Sequence, residues 1–139
     1  MRTGLLKTSN GASAVEFAII LPLLVLILFG IIEFALAFYD KAMITNASRE
    51  GARAGIVYRD PSVSNGEIAA VVNTYLRNHL VTFGGSTTAK VDVERNGGSP
   101  GGELKVRVAY TYTFLALPRL SSTLGRGINM AAETAMRME

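Results

Sequence analysis

The sequence contains no cysteine. The fold cannot depend on disulfides, and thiol chemistry and cysteine-ligated metals are excluded. It contains one histidine, His79, without a ligand-spaced neighbour. No nucleophile stands beside a base, and no acidic metal cluster is present. A catalytic constellation cannot be assembled from such residues, so a non-enzyme without a cofactor or metal is expected. A dense Lys/Arg block is also missing. The net charge is +3, but Arg2 and Lys7 lie in the first eleven residues; without these, 12 basic side chains face 11 acidic ones. Nucleic acid is therefore not an expected partner. The NGGSPGG run at 96–102 lacks the Lys-Ser/Thr of a phosphate loop and reads as a hairpin connection.

What the chain does have is one long stretch without charge. From Phe17 to Ile32 no ionisable side chain occurs, and the apolar character continues to Tyr39. A run from Phe17 to Tyr39 is long enough to cross a bilayer, which needs roughly 20 apolar residues. Pro22, Gly30 and Glu33 interrupt it. Pro22 removes a helical hydrogen bond and predicts a kink or a place near the first turns. Glu33 is costly at membrane depth, on the order of 3 kcal/mol at a helix centre. Two roles for it stand: snorkelling to the surface, or a polar contact with another helix. Ala35-Leu36-Ala37 resembles a secretory cleavage box only superficially, because Glu33 precedes it and the helical pattern runs past it. Arg2 and Lys7 favour a cytoplasmic N-terminus, although Lys41, Arg49, Arg53 and Arg59 weaken the asymmetry.

Ahead of the run stands Gly11-Ala12-Ser13-Ala14-Val15-Glu16, preceded by a short, basic, acid-free segment. A cut after Gly11 creates a positive amine on Ala12. Buried among packed helices, that amine needs a counter-charge. Glu16 lies about one helical turn away, or on a neighbouring subunit's helix, and near the positive end of the helix dipole.

The leader, the Gly11/Ala12 junction and Glu16 resemble a type IV prepilin signal. More narrowly, GASAVEFAIILPLL and GIIEFALAFYDKAMITNASREGARAG resemble the TadE-like family of small pseudopilins of tight-adherence (Tad/Flp) pilus systems. The residues that carry this are Gly11, Glu16, Phe17, Pro22, Glu33, Phe34 and Gly51-Ala52-Arg53. Ala12 departs from the larger residue pilins often have after the glycine. The resemblance implies processing by a prepilin peptidase at Gly11/Ala12, with pairing of the new amine by Glu16. It implies other pilin or pseudopilin subunits, the inner-membrane pilus assembly machinery and membrane lipid as partners. It also implies a single-pass inner-membrane protein, N-terminus cytoplasmic and C-terminal domain periplasmic, that can end up outside the cell in the pilus.

Beyond the membrane the helical pattern continues to Val57. Ala47, Gly51 and Gly55 recur every four residues as a small-residue stripe. Each glycine there costs roughly 1 kcal/mol relative to Ala, so close approach of the C-terminal sheet or of a partner helix is expected to compensate. Arg49 and Arg53 are one turn apart on another face, as a solvated pair or a charged subunit contact. Arg59-Asp60-Pro61 breaks the helix.

A second helix is expected to run from the capping-box signal Ser64-Asn65-Gly66-Glu67 to about Leu80, with Ile68, Val71, Val72, Tyr75, Leu76 and Leu80 on one face and His79 at its border. Residues 89–95 alternate, as do Glu103 to about Leu115, with Leu104, Val106, Val108, Tyr110, Tyr112 and Phe114 sharing a face. Pro118 ends that strand, and Leu120 to Gly127 reads as a connector. Ile128 to Glu139 alternates again; the Ala and Met content also suits a helix, but the period and the family resemblance favour a strand.

The expected class is α+β and pilin-like: a long N-terminal transmembrane helix, plus a second helix packed on a three-stranded antiparallel sheet. Its divisions are 1–11 leader, 12–39 transmembrane helix, 40–60 extramembrane continuation of the helix and 61–139 globular domain. Two functional classes compete. One is a structural pilus component, either a minor pseudopilin or the main filament subunit. The other is a permanently membrane-anchored accessory or adhesion module.

Overall fold

The computed structural model describes residues 9–82, 86–97, 101–114 and 127–138. The leader up to residue 8, Pro118, the connector up to residue 126, and 98–100 of the NGGSPGG run lie outside the described residues. The first helix, α1, spans Ser9–Ile56. Its 48 residues reach about 72 Å at 1.5 Å per residue. It passes without interruption through Gly11/Ala12 and through Pro22. It stops at Ile56, so the expected continuation over 40–60 is helical only in its first part. Pro61 follows shortly after, and proline disfavours helix in the residue before it.

The second helix, α2, spans Asn65–His79 and begins with the expected capping box. Ser64 Oγ accepts from the Glu67 N–H at 3.2 Å, and Glu67 Oε2 accepts from the Ser64 N–H at 2.8 Å. Two otherwise orphaned donors are thus satisfied reciprocally. At the other end the Leu80 N–H bonds the Leu76 carbonyl. Ile68, Val72 and Leu76 are its buried residues, set one turn apart.

Three strands follow: β1 Lys90–Asn96, β2 Glu103–Thr113 and β3 Gly127–Arg137. They form one antiparallel sheet in the order β1-β2-β3. The last segment is therefore a strand despite its Ala and Met content. Pairing to β2 explains this: Val106 sits opposite Thr134, and Val108 opposite Ala132. That register lays Met130, Ala132, Thr134 and Met136 along the inner face, while Ala131, Glu133, Ala135 and Arg137 face out. In β2 the alternation is complete: Leu104, Val106, Val108, Tyr110 and Tyr112 are buried, and Phe114 just beyond it continues the row. The β1–β2 hairpin turns through Gly97 and Gly101, both at positive φ.

One side of this sheet carries the apolar row, and both helices cover it. α1 lies across β2 and β3, and α2 packs between α1 and β1. The small-residue stripe is where backbones come closest. A Cβ on Gly51 would meet Val72 Cγ2 at 2.5 Å, and one on Gly55 would meet Leu104 Cδ2 at 2.5 Å and Ile68 Cδ1 at 2.6 Å. The stripe thus packs against α2 and the sheet of its own chain.

Candidate functional site

α1 is one helix with two environments. From Gly11 to Phe29 each residue is exposed, and the most apolar window of the helix has no buried residue. Phe17, Ile19, Ile20, Leu23, Leu24, Ile27, Leu28 and Ile31 are among its bare side chains. Apolar residues all round a helix mark a segment meant for an apolar surround, since a water-facing helix carries polar residues on one side. Gly11 and Ala12 lie in the exposed first turns, and a Cβ on Gly11 would meet no atom within 4 Å. Glu16 is exposed one turn further on, without a hydrogen bond or ion pair among the described residues. Pro22 is also on the bare surface.

The environment changes at Glu33. This residue is only 2% exposed. Tyr112, on β2, donates its hydroxyl to Glu33 Oε2 at 3.1 Å. Of the two roles open to Glu33 from sequence, neither describes this contact: the partner is the sheet of its own chain, reached across 79 residues. Burial first, and then the hydrogen-bonded Glu33 carboxyl, push the Tyr112 hydroxyl well above the ordinary phenol range. Tyr112 therefore keeps its proton and remains a donor.

From Glu33 a seam runs up the helix through Ala37, Asp40, Ile44, Ala47, Ser48, Gly51, Ala52 and Gly55, all buried. Its spacings of three and four residues are those of a helical stripe. Ala47, Gly51 and Gly55 of this seam were legible as a stripe in sequence; Ala37, Asp40, Ile44, Ser48 and Ala52 were not. The signal was available as the 3-4 period extended downward from Ala47, but Asp40 and Ile44 are not small and do not continue a small-residue stripe.

Two polar members of the seam are tied to the domain. Ser48 Oγ lies 2.7 Å from Thr134 Oγ1 on β3. Asp40 Oδ1 accepts from the Val81 N–H at 3.1 Å, while its Oδ2 is buried without a hydrogen-bond partner among the described residues. Burial raises the Asp40 carboxyl pKa, and the Val81 bond partly opposes that. The nearby Tyr110 hydroxyl is raised in turn, by its own burial and then by Asp40.

Arg49 and Arg53 are exposed, off the seam. His79 is exposed and stacks on Tyr75, with ring centroids 4.3 Å apart. Among the described residues no group of His, Asp and Glu is suited to hold a metal ion. The structure brings Glu33, Ala47, Gly51 and Gly55 into one packed seam. It leaves Gly11, Ala12, Glu16 and Pro22 on a free helical arm, and the arginine pair on an outer face.

A bare apolar arm continuous with a helix that carries an α+β domain fits a single-pass membrane protein. Residues 11–53 match the family model described as TadE-like protein, so that segment is similar to this family. The match begins at Gly11, covers Glu16, Pro22, Glu33 and the lower seam, and ends before α2 and the sheet. No curated protein and no solved structure matches the chain.

Proposed function

We propose that the chain is a structural pseudopilin of a Tad-type pilus. In this reading it spans the bacterial inner membrane once, with its N-terminus in the cytoplasm and its sheet domain in the periplasm. A prepilin peptidase cuts between Gly11 and Ala12. The mature protein is then incorporated into the pilus or primes its assembly, and its role is mechanical rather than catalytic.

The observation that supports this best is the bare N-terminal arm of α1, which lies inside the TadE-like segment and has the junction and Glu16 at its tip. None of the described residues of the domain covers that arm, so its cover must be lipid before assembly and other helices afterwards. Moving from lipid to a bundle of helices brings little hydrophobic gain, because lipid tails are as apolar as Leu. Packing and polar pairing must then direct assembly. The Ala12 amine and the Glu16 carboxylate supply one such pair, within a helix or between neighbours.

Intact mass and N-terminal sequence of the protein from cells with and without the peptidase test the reading. A mature form starting at Ala12 only when the peptidase is present supports it. A chain starting at Met1 overturns it in favour of a permanent anchor. A start near Phe38 means ordinary secretion and removes the filament role altogether.

A further inference from the structure

The stretch between the two carboxylates Glu16 and Glu33 is too short to span a bilayer. Phe17–Ile32 is 16 residues, about 24 Å of helix. A hydrocarbon core is about 30 Å thick. Tilting the helix lengthens the deficit rather than closing it. With Glu16 as the inner boundary, the missing length comes from the next turns, and there α1 is two-faced. One face, with Glu33, Ala37 and Asp40, is under the sheet; the other keeps Phe34, Phe38 and Tyr39 bare, Phe38 at 72% exposure. With that bare face included, the apolar surface reaches Tyr39, 23 residues from Phe17 and about 34 Å. The bilayer must then rise beside the domain, and the foot of the sheet stands at lipid depth. The Tyr112 bond to Glu33 fits this, since a carboxyl at that depth needs a buried partner.

At this level a groove opens between α1 and β3, lined by Phe34, Ala37, Phe38, Lys41, Ile128 and Met130. Its walls are apolar except for Lys41 at its upper end. The groove is continuous with the bare face of α1, so the medium that covers Phe34 and Phe38 also fills it. Lys41 Nζ donates to the Ala131 carbonyl, which holds the ammonium over the groove; its other two donors have no partner among the described residues. Resting on the reading that α1 spans a bilayer, we propose that this groove seats an acyl chain of an anionic phospholipid of the outer leaflet, with Lys41 at its phosphate.

The chain contains no tryptophan, so one introduced indole reports alone. The full chain is reconstituted in mixed phosphatidylcholine–phosphatidylglycerol vesicles, with bromines on the acyl chains of one lipid or the other. Three reporters are used singly: Ile128→Trp and Phe38→Trp at the groove, and Leu24→Trp in the middle of the arm. Quenching at all three positions is expected. At the groove, brominated phosphatidylglycerol is expected to be enriched about fivefold over brominated phosphatidylcholine, the selectivity one lysine supplies at an anionic surface. Lys41→Gln should abolish that preference and Lys41→Arg retain it.

Quenching at Leu24→Trp without quenching at either groove reporter overturns the lipid site alone. Groove quenching that grows as protein is diluted in lipid means that a second copy occupies the groove, and also overturns it. Equal quenching by the two lipids removes the role of Lys41. Absence of quenching at Leu24→Trp as well means that the membrane span itself is wrong.

Discussion

Tyr112 closes over Glu33: a phenol on the central strand donates to a carboxyl on the membrane-proximal helix at 3.1 Å, and both side chains are buried. This contact marks where α1 stops being a bare arm and becomes part of the domain. Removing the donor takes one hydrogen bond from a buried carboxyl, a change worth about 0.5–1.5 kcal/mol. Tyr112→Phe is therefore expected to loosen the foot of the domain by that amount in denaturant unfolding of the detergent-solubilised chain. A double-mutant cycle with Glu33→Gln should show coupling between the two positions. Independent, additive effects would remove the contact from the account of docking.

The glycines of α1 are not equivalent. A Cβ at Gly51 meets Val72 Cγ2 at 2.5 Å, whereas one at Gly30 meets nothing within 4 Å. Val72 is branched and buried, so it has little room to retreat. Overpacking of this kind costs typically about 1–3 kcal/mol for a small addition, and Gly51→Leu should separate α1 from α2 and the sheet outright. Gly30→Ala should be neutral or stabilising by up to about 1 kcal/mol through helix propensity. Thermal unfolding of the two variants side by side checks the contrast.

Asp40 makes the domain less stable when ionised. Its folded pKa is raised by burial, so the folded state holds its proton more tightly than the unfolded chain does. The contribution is unfavourable at neutral pH and fades as pH falls through the raised folded value toward the ordinary value of 3.8. Stability should thus rise on mild acidification. Asp40→Asn should abolish this rise while keeping an acceptor for the Val81 N–H, and a urea midpoint followed against pH measures both.

Glu67 acts with the opposite sign. The Ser64 N–H, then Arg59 and the Ser64 hydroxyl, lower its pKa from 4.5 to about 2. The stabilisation of the α2 start is fully present above pH 4.5 and is lost as pH falls toward 2. Ser64→Ala removes the cap itself and is expected to cost about 1 kcal/mol. Hydrogen exchange of the first α2 amides, wild type against Ser64→Ala, should show faster opening confined to that turn.

Glu16→Ala is expected to leave cutting at Gly11/Ala12 largely intact while blocking incorporation into pili. The exposed Glu16 has no role in holding the monomer together among the described residues, so monomer stability should not change. Immunoblots of sheared pili against membrane fractions separate the two steps. Normal incorporation of the variant would defeat the charge-pairing idea.

The elements of this fold were legible in sequence because each rests on local chemistry. Alternation in Leu104 to Phe114 can only be a half-buried strand, and Ser64-x-x-Glu67 is a helix start in any context. The bare arm was equally legible, since sixteen residues without charge leave no other surround for a helix. The partner of Glu33 was not, because Tyr112 sits far along the chain and nothing local distinguishes it from Tyr110. Nor was the lower seam: Ala37 and Ile44 look like any other apolar residues of a membrane helix until a sheet is laid on them.

The sequence by itself determined that this chain is an apolar helical arm bearing a small α+β domain, because periodicity, capping and hydrophobic length act over a few turns. Only the tertiary structure decided how far down the arm the domain reaches, which glycines are crowded and which carboxyls are buried. Those are relations between distant segments. They depend on the register of β2 against β3 and on the rotation of α1 about its axis, which are set when the sheet closes on the helix.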